Sequence, residues 1–198
     1  MQVTSFPPAV LAAMLSACAT EPVLLNSERI EKRFGSYGIE VLASEAGLRR
    51  SSLYSLENGA PTCRTYAVVR FADHLDDRYR EEHAKVLAGN SIGAIFRSHG
   101  WDLHKQTMHL GSLLLPQKNT AIGELMRLAG ATGLAMHVYQ LLLVRNEQVF
   151  EYATIVEAHH PDYLSENDLR ELYEYDITTA VSPPVVSQLV ALTLANPD

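Results

Sequence analysis

The chain is short of basic charge, of cysteine and of long apolar runs, and each shortage removes a class of function. Sixteen Lys and Arg against 23 Asp and Glu leave a net charge of −7. Nucleic-acid binding needs a basic stripe to displace counterions from phosphates, and none stands out. The same balance argues against electrostatic docking on anionic lipid. No run of 18 apolar residues occurs, so a membrane-spanning helix is not expected. The G-x-S-x-G nucleophile elbow, the H-E-x-x-H zinc pair and the βαβ unit with a Gly-rich phosphate loop are all missing. Gly89-Asn90-Ser91-Ile92-Gly93 places a Ser between glycines but lacks the strand-to-helix elbow. There is no repeat and no low-complexity tract. What is present is an ordinary globular composition, 47% hydrophobic and 20% charged over 198 residues, so a packed fold is expected.

The N-terminal end differs from the rest. Residues 1–17 hold no Asp, Glu, Lys or Arg, and the apolar run from Ala9 ends in Leu15-Ser16-Ala17-Cys18. A Leu, two small residues and a Cys after a short hydrophobic segment resemble the lipobox of bacterial lipoprotein precursors. The resemblance implies a signal peptide over 1–17 and a thioether-linked diacylglyceryl group on Cys18. It also implies a lipidated tether over 18–26, a membrane partner reached only through that anchor, and a periplasm-facing body. Ala19 after the Cys resembles the outer-membrane sorting pattern. Several acyl chains hold durably where one would bind reversibly, because every buried CH2 contributes about 0.8 kcal/mol. A lipidated Cys18 has no thiol to offer Cys63, which then reads as a buried, inert thiol at the start of a strand.

Residues 27–198 read as a single α+β domain, a mainly antiparallel sheet of about six strands with helices on one face, and 176–198 as a packing helix or a partner-binding tail. Ser27 is placed to cap a helix over Glu28–Phe34 that Gly35 stops. Strands follow at 37–42, 51–56 and 65–71, the last two separated by Asn58-Gly59, so a three-strand meander is expected. The period then lengthens to that of a helix over Asp73–Ala88, with a second short helix after Asn90 or Ser91 that Gly100 ends. A strand over 101–110, a short helix capped by Thr120 and a hairpin of 134–144 with 149–158 come next. Ser165-Glu166-Asn167-Asp168 forms a capping box for a last helix.

Candidate chemistry is thin. His159, His160 and Asp162 form the tightest cluster of metal-favouring side chains, although neighbouring residues seldom converge on one ion. His104 and His109 differ in parity and cannot share a face of a regular strand. Arg49-Arg50 and Glu81-Glu82 read as solvated charges. The preferred expectation is a non-enzymatic envelope lipoprotein that needs no cofactor and binds a partner, such as another envelope protein, or an apolar ligand. The alternative is a metal-dependent or hydrolytic envelope enzyme using His159, His160 and Asp162. The lipobox makes a direct prediction: wild-type protein fractionates with membranes and carries acyl mass on Cys18, whereas Cys18→Ser moves to the aqueous fraction. Intact-mass analysis of both fractions checks it.

Overall fold

Six segments in which apolar and polar residues alternate, or run apolar where both faces are covered, become the six strands of one antiparallel sheet. A computed structural model describes residues 24–45, 47–115 and 120–173, with 188, 191 and 193 beyond them. The expected signal peptide, Cys18, the tether up to residue 23 and nearly all of the 176–198 tail lie outside the described residues. The strands are β1 (Gly38–Glu45), β2 (Leu48–Glu57), β3 (Ala60–Phe71), β4 (Asp102–Leu114), β5 (Gly133–Arg145) and β6 (Gln148–His159). Their order across the sheet is β1-β2-β3-β6-β5-β4. Two meanders, β1 to β3 and β4 to β6, therefore join through their third strands, which pair antiparallel from Thr65↔His159 to Phe71↔Ala153.

The tight turns follow from local chemistry. Asn58-Gly59 links β2 to β3 with φ of 52° and 81°, and Asn146-Glu147 links β5 to β6 with φ of 51° and 59°. Left-handed conformation at both central residues gives a turn whose twist matches that of the flanking strands. Asn and Gly tolerate it, and Glu147 does so under the force of the hairpin.

The helices are α1 (Asn26–Phe34), α2 (Arg80–Leu87), α3 (Ile92–Ser98), α4 (Ala121–Leu125) and α5 (Glu166–Tyr173). The start of α1 differs from expectation: the Glu28 carboxylate accepts the Leu25 N–H at 2.6 Å, so the helix opens at Asn26 without the Ser27 hydroxyl. Asn26 is thereby free to turn inward, where it is buried. The helix expected from Asp73 begins only at Arg80, after a 3-10 turn over Asp77–Tyr79 in which the Asp76 carboxylate accepts the Arg78 N–H. The capping box of α5 forms as read: Ser165 Oγ accepts the Asp168 N–H, and the Asp168 carboxylate accepts the Ser165 N–H.

Apolar side chains cover both faces of the sheet. One face carries Tyr66, Val68, Met136, Val138 and Val156, covered by Ile122 and Met126 at α4. The other carries Val69, Tyr139, Leu141 and Ile155 against a herringbone of aromatic rings from Tyr79, Phe96, Trp101 and Tyr152, and Ala67 and Ala135 packed with Ile30 of α1 and Leu169 of α5. Four helices thus lie on this second face and the short α4 on the first. Cys63 is buried within β3, and burial pushes its thiol up to about 12, so it is inert. Leu143 is fully buried in the aromatic cluster, whereas Leu114 is 70% exposed. Leu143→Ala should cost roughly 3 kcal/mol and Leu114→Ala close to nothing, which urea unfolding of the two variants measures.

Candidate functional site

The helix-covered face does not pack solid. Between it and the helices lies a cavity of about 730 Å3 whose wall includes Ile39, Leu53, Ala67, Val69, Leu141 and Ile155. Strand periodicity selects these side chains and, among them, a few charged ones. In β2, Arg49 shares parity with Ser51 and Leu53. In β6, Glu157 shares it with Ile155, and in β4 Lys105 shares it with Leu103; all of these residues line the cavity. The register across the sheet aligns Ser51 with Ala67, Ala67 with Glu157, and Glu157 with His137. Leu24 and Leu25 before α1, and Leu172 and Tyr173 at the end of α5, close the cavity from the helix side. Gly93 lets α3 come close: a Cβ there would lie 2.7 Å from the Leu25 side chain.

Besides Arg29, whose Nη1 donates to the Tyr173 hydroxyl at 3.2 Å, two kinds of charge meet this cavity. The first is compensated. Lys105 Nζ donates to Glu157 Oε2 at 3.1 Å and sits 4.3 Å from the centre of the Tyr139 ring. Burial opposes both charges, but mutual attraction prevails: Lys105 is held well above its usual range and Glu157 is lowered to about 2. Asn26 Nδ2 reaches Glu157 Oε1 at 3.4 Å and Thr65 Oγ1 at 3.1 Å. Thr65 continues to His159 Nδ1 at 2.9 Å. The Tyr163 hydroxyl donates to Asn26 Oδ1. This network ties α1, the sheet and the loop before α5 together.

The second kind is Arg49, and it is uncompensated. Its side chain is fully buried. Nε donates to Ser51 Oγ at 3.0 Å, and Nη1 donates to the carbonyls of Val86 at 2.9 Å and Asn90 at 3.0 Å. Nη2 has no partner, and among the described residues no carboxylate pairs with this guanidinium. Burial lowers its pKa from the ordinary value, yet a guanidinium stays charged at neutral pH. Arg97, by contrast, contacts Glu28 at 3.0 Å. A buried guanidinium without a carboxylate partner, on the wall of an apolar chamber, has the chemistry to attract an anion with an apolar body.

The residues singled out from the sequence lie elsewhere or are used differently. Arg49 and Arg50, read as solvated, are 2% and 8% exposed. The reason is that β2 begins at Leu48, earlier than expected, and carries both into the covered sheet. Glu82 is buried too and accepts the Trp101 indole N–H at 3.2 Å. The cluster His159, His160 and Asp162 does not converge. His159 bonds Thr65 on the cavity side of the sheet, whereas the His160 ring spends Nε2 on the Met126 carbonyl at 3.1 Å and Nδ1 on the Asp162 N–H at 3.0 Å. The Asp162 carboxylate is 77% exposed and lies 3.9 Å from His160 Nδ1. Among the described residues no group of three or more His, Cys, Asp or Glu is placed to hold a metal ion. His104 and His109 were expected on opposite faces, but a bulge at Met108 inserts one residue, setting His104 opposite Leu142 and His109 opposite Val138 on a common face.

Arg49, Lys105 and Glu157 were missed as site residues. A signal existed for two of them: Lys105 follows Leu103 and Glu157 follows Ile155 at inward strand parity. For Arg49 none did, since only the tertiary arrangement leaves it without a counter-ion.

Burial has a consequence for acid stability. His159 is pushed down to about 4 and His137 to about 2, in each case first by burial, with Lys105 adding repulsion. Both rings are therefore neutral in the fold at pH 5, while the unfolded chain protonates them below about 6.5. Stability is fully present above pH 6.5 and falls as pH drops toward 4, where the unfolded state binds more protons. Below about 4.5 the lowered Glu157 adds a loss of the same sign. Urea midpoints between pH 7 and pH 4 should decline, and His159→Gln should flatten the slope.

Comparison with known proteins adds little to this geometry. The sequence matches no family model and no curated protein. One solved structure, a GntR-family transcriptional regulator from Enterococcus faecalis V583, is similar over 66% of this chain and 93% of its own length, with 10% identity and a TM-score of 0.33. At that level the likeness carries no argument about fold or function.

Proposed function

We propose that the chain is a non-enzymatic envelope lipoprotein whose folded domain binds a small amphipathic carboxylate in the cavity beneath α1, α3 and α5. The observation that carries the binding reading is Arg49, a buried guanidinium with no carboxylate partner among the described residues, on the wall of an apolar chamber of about 730 Å3. That volume falls within the range of sites that enclose small organic ligands. The apolar wall takes the body of the ligand, Arg49 its charge, and the Lys105–Glu157 pair sets polarity at the far side without adding net charge. The anchoring half of the reading rests on Leu15-Ser16-Ala17-Cys18, with the outer membrane facing the periplasm as the proposed site. No helix among the described residues is long and apolar enough to cross a membrane.

Octanoate and benzoate are suitable first probes for isothermal titration calorimetry. Wild-type protein should bind octanoate, and Arg49→Gln should weaken it roughly ten- to a hundredfold, the size of a charge-assisted hydrogen bond. Failure of wild-type protein to bind either carboxylate at millimolar concentration would overturn the reading.

A further inference from the structure

The last residues of the expected tether, Leu24, Leu25 and Asn26, line the cavity. Leu24, the first described residue, lies six positions after Cys18 and lines the cavity, and Leu172 lines it from α5. Both are large apolar side chains left in solvent, 43% and 38% exposed. Fully extended, six residues span about 20 Å, so an acylated Cys18 would keep Leu24 within about that distance of the headgroups. Both leucines line the chamber and still face solvent, and a compact carboxylate such as benzoate would leave them and most of the chamber wall wet. Arg49 lines the chamber on the sheet side, where an anionic head could meet it.

We propose that the cavity takes its ligand directly from the bilayer: a single-chain lipid carboxylate, drawn in past Leu24 and Leu172, with its acyl chain along the apolar wall and its carboxylate on Arg49. The inference rests on the binding and anchoring readings above and adds the source and the chain length. A long chain is reluctant to cross water, since each CH2 adds to the cost of leaving the bilayer. A receptor tethered within reach of the surface shortens that crossing. A free-floating copy gains no such advantage, although its equilibrium affinity is unchanged.

Trp101, the sole tryptophan, lines the cavity and supplies the readout. Dibromostearate is injected into phosphatidylcholine vesicles that carry the acylated chain 18–198, or into vesicles mixed with the same chain bearing Cys18→Ser, and quenching of Trp101 is followed by stopped flow. The tethered protein should be quenched at least tenfold faster than Cys18→Ser. Excess stearate should reverse the quenching, Arg49→Gln should weaken it at least tenfold, and octanoate affinity should be equal in the tethered and Cys18→Ser chains. Equal quenching rates, or octanoate binding without dibromostearate binding, would overturn the bilayer source while leaving the cavity reading intact. Binding of neither acid would overturn both. A wild-type chain that carries no acyl group would overturn the anchor and this inference with it.

Discussion

Pairing of β3 with β6 is the constraint on which the rest of the molecule depends. It is made between segments about ninety residues apart in the chain, from Thr65↔His159 to Phe71↔Ala153, and it converts two meanders into one sheet. Each meander by itself would leave a third strand with an open edge. Joined, they place Ala67 beside Glu157 and Val69 beside Ile155, so the inward residues of β2 and of β4 look onto one continuous surface. Arg49 comes from one half and Lys105 and Glu157 from the other. The cavity exists only because the halves are joined.

Charge within that cavity is distributed asymmetrically, and the asymmetry is what gives it chemical character. A buried ion pair such as Lys105–Glu157 contributes little net stability, because desolvation offsets attraction. Its value here is organisational: Asn26, Thr65, His159 and Tyr163 are all oriented through Glu157 or its hydrogen-bonded neighbours. Arg49 has no such answer among the described residues. The carbonyls of Val86 and Asn90 soften its burial through partial charges only, leaving positive potential in a low-dielectric space. Such a space favours an anion more strongly than any surface arginine could.

The helix layer is held by contacts that also shape the cavity wall. Arg29 Nη1 donates to the Tyr173 hydroxyl at 3.2 Å and Arg33 Nη1 to the Tyr163 carbonyl at 2.7 Å, so α1 and α5 stay together over the sheet. Tyr173 also stacks on His137, with ring centres 4.2 Å apart. Leu24 and Leu25 before α1 and Leu172 and Tyr173 at the end of α5 thus meet along the cavity wall. Beneath α2 the rings of Tyr79, Phe96, Trp101 and Tyr152 pack edge to face, and Trp101 also reaches the cavity wall.

Much of the fold was legible because it is decided locally. Asn58-Gly59 demands a left-handed turn, Ser165 and Asp168 satisfy each other's backbone, and alternating side chains fix which face of each strand is buried. The sequence by itself therefore determined the α+β class, the antiparallel hairpins and the positions of the strands and most helices to within a few residues. Tertiary structure alone decided that Arg49 and Arg50 are buried, that a bulge at Met108 brings His104 and His109 to one face, and that His159 and His160 part company. The physical reason is range. Turns and periods are set by neighbours in the chain, whereas the surroundings of a buried charge are set by whichever distant strand and helix pack against it.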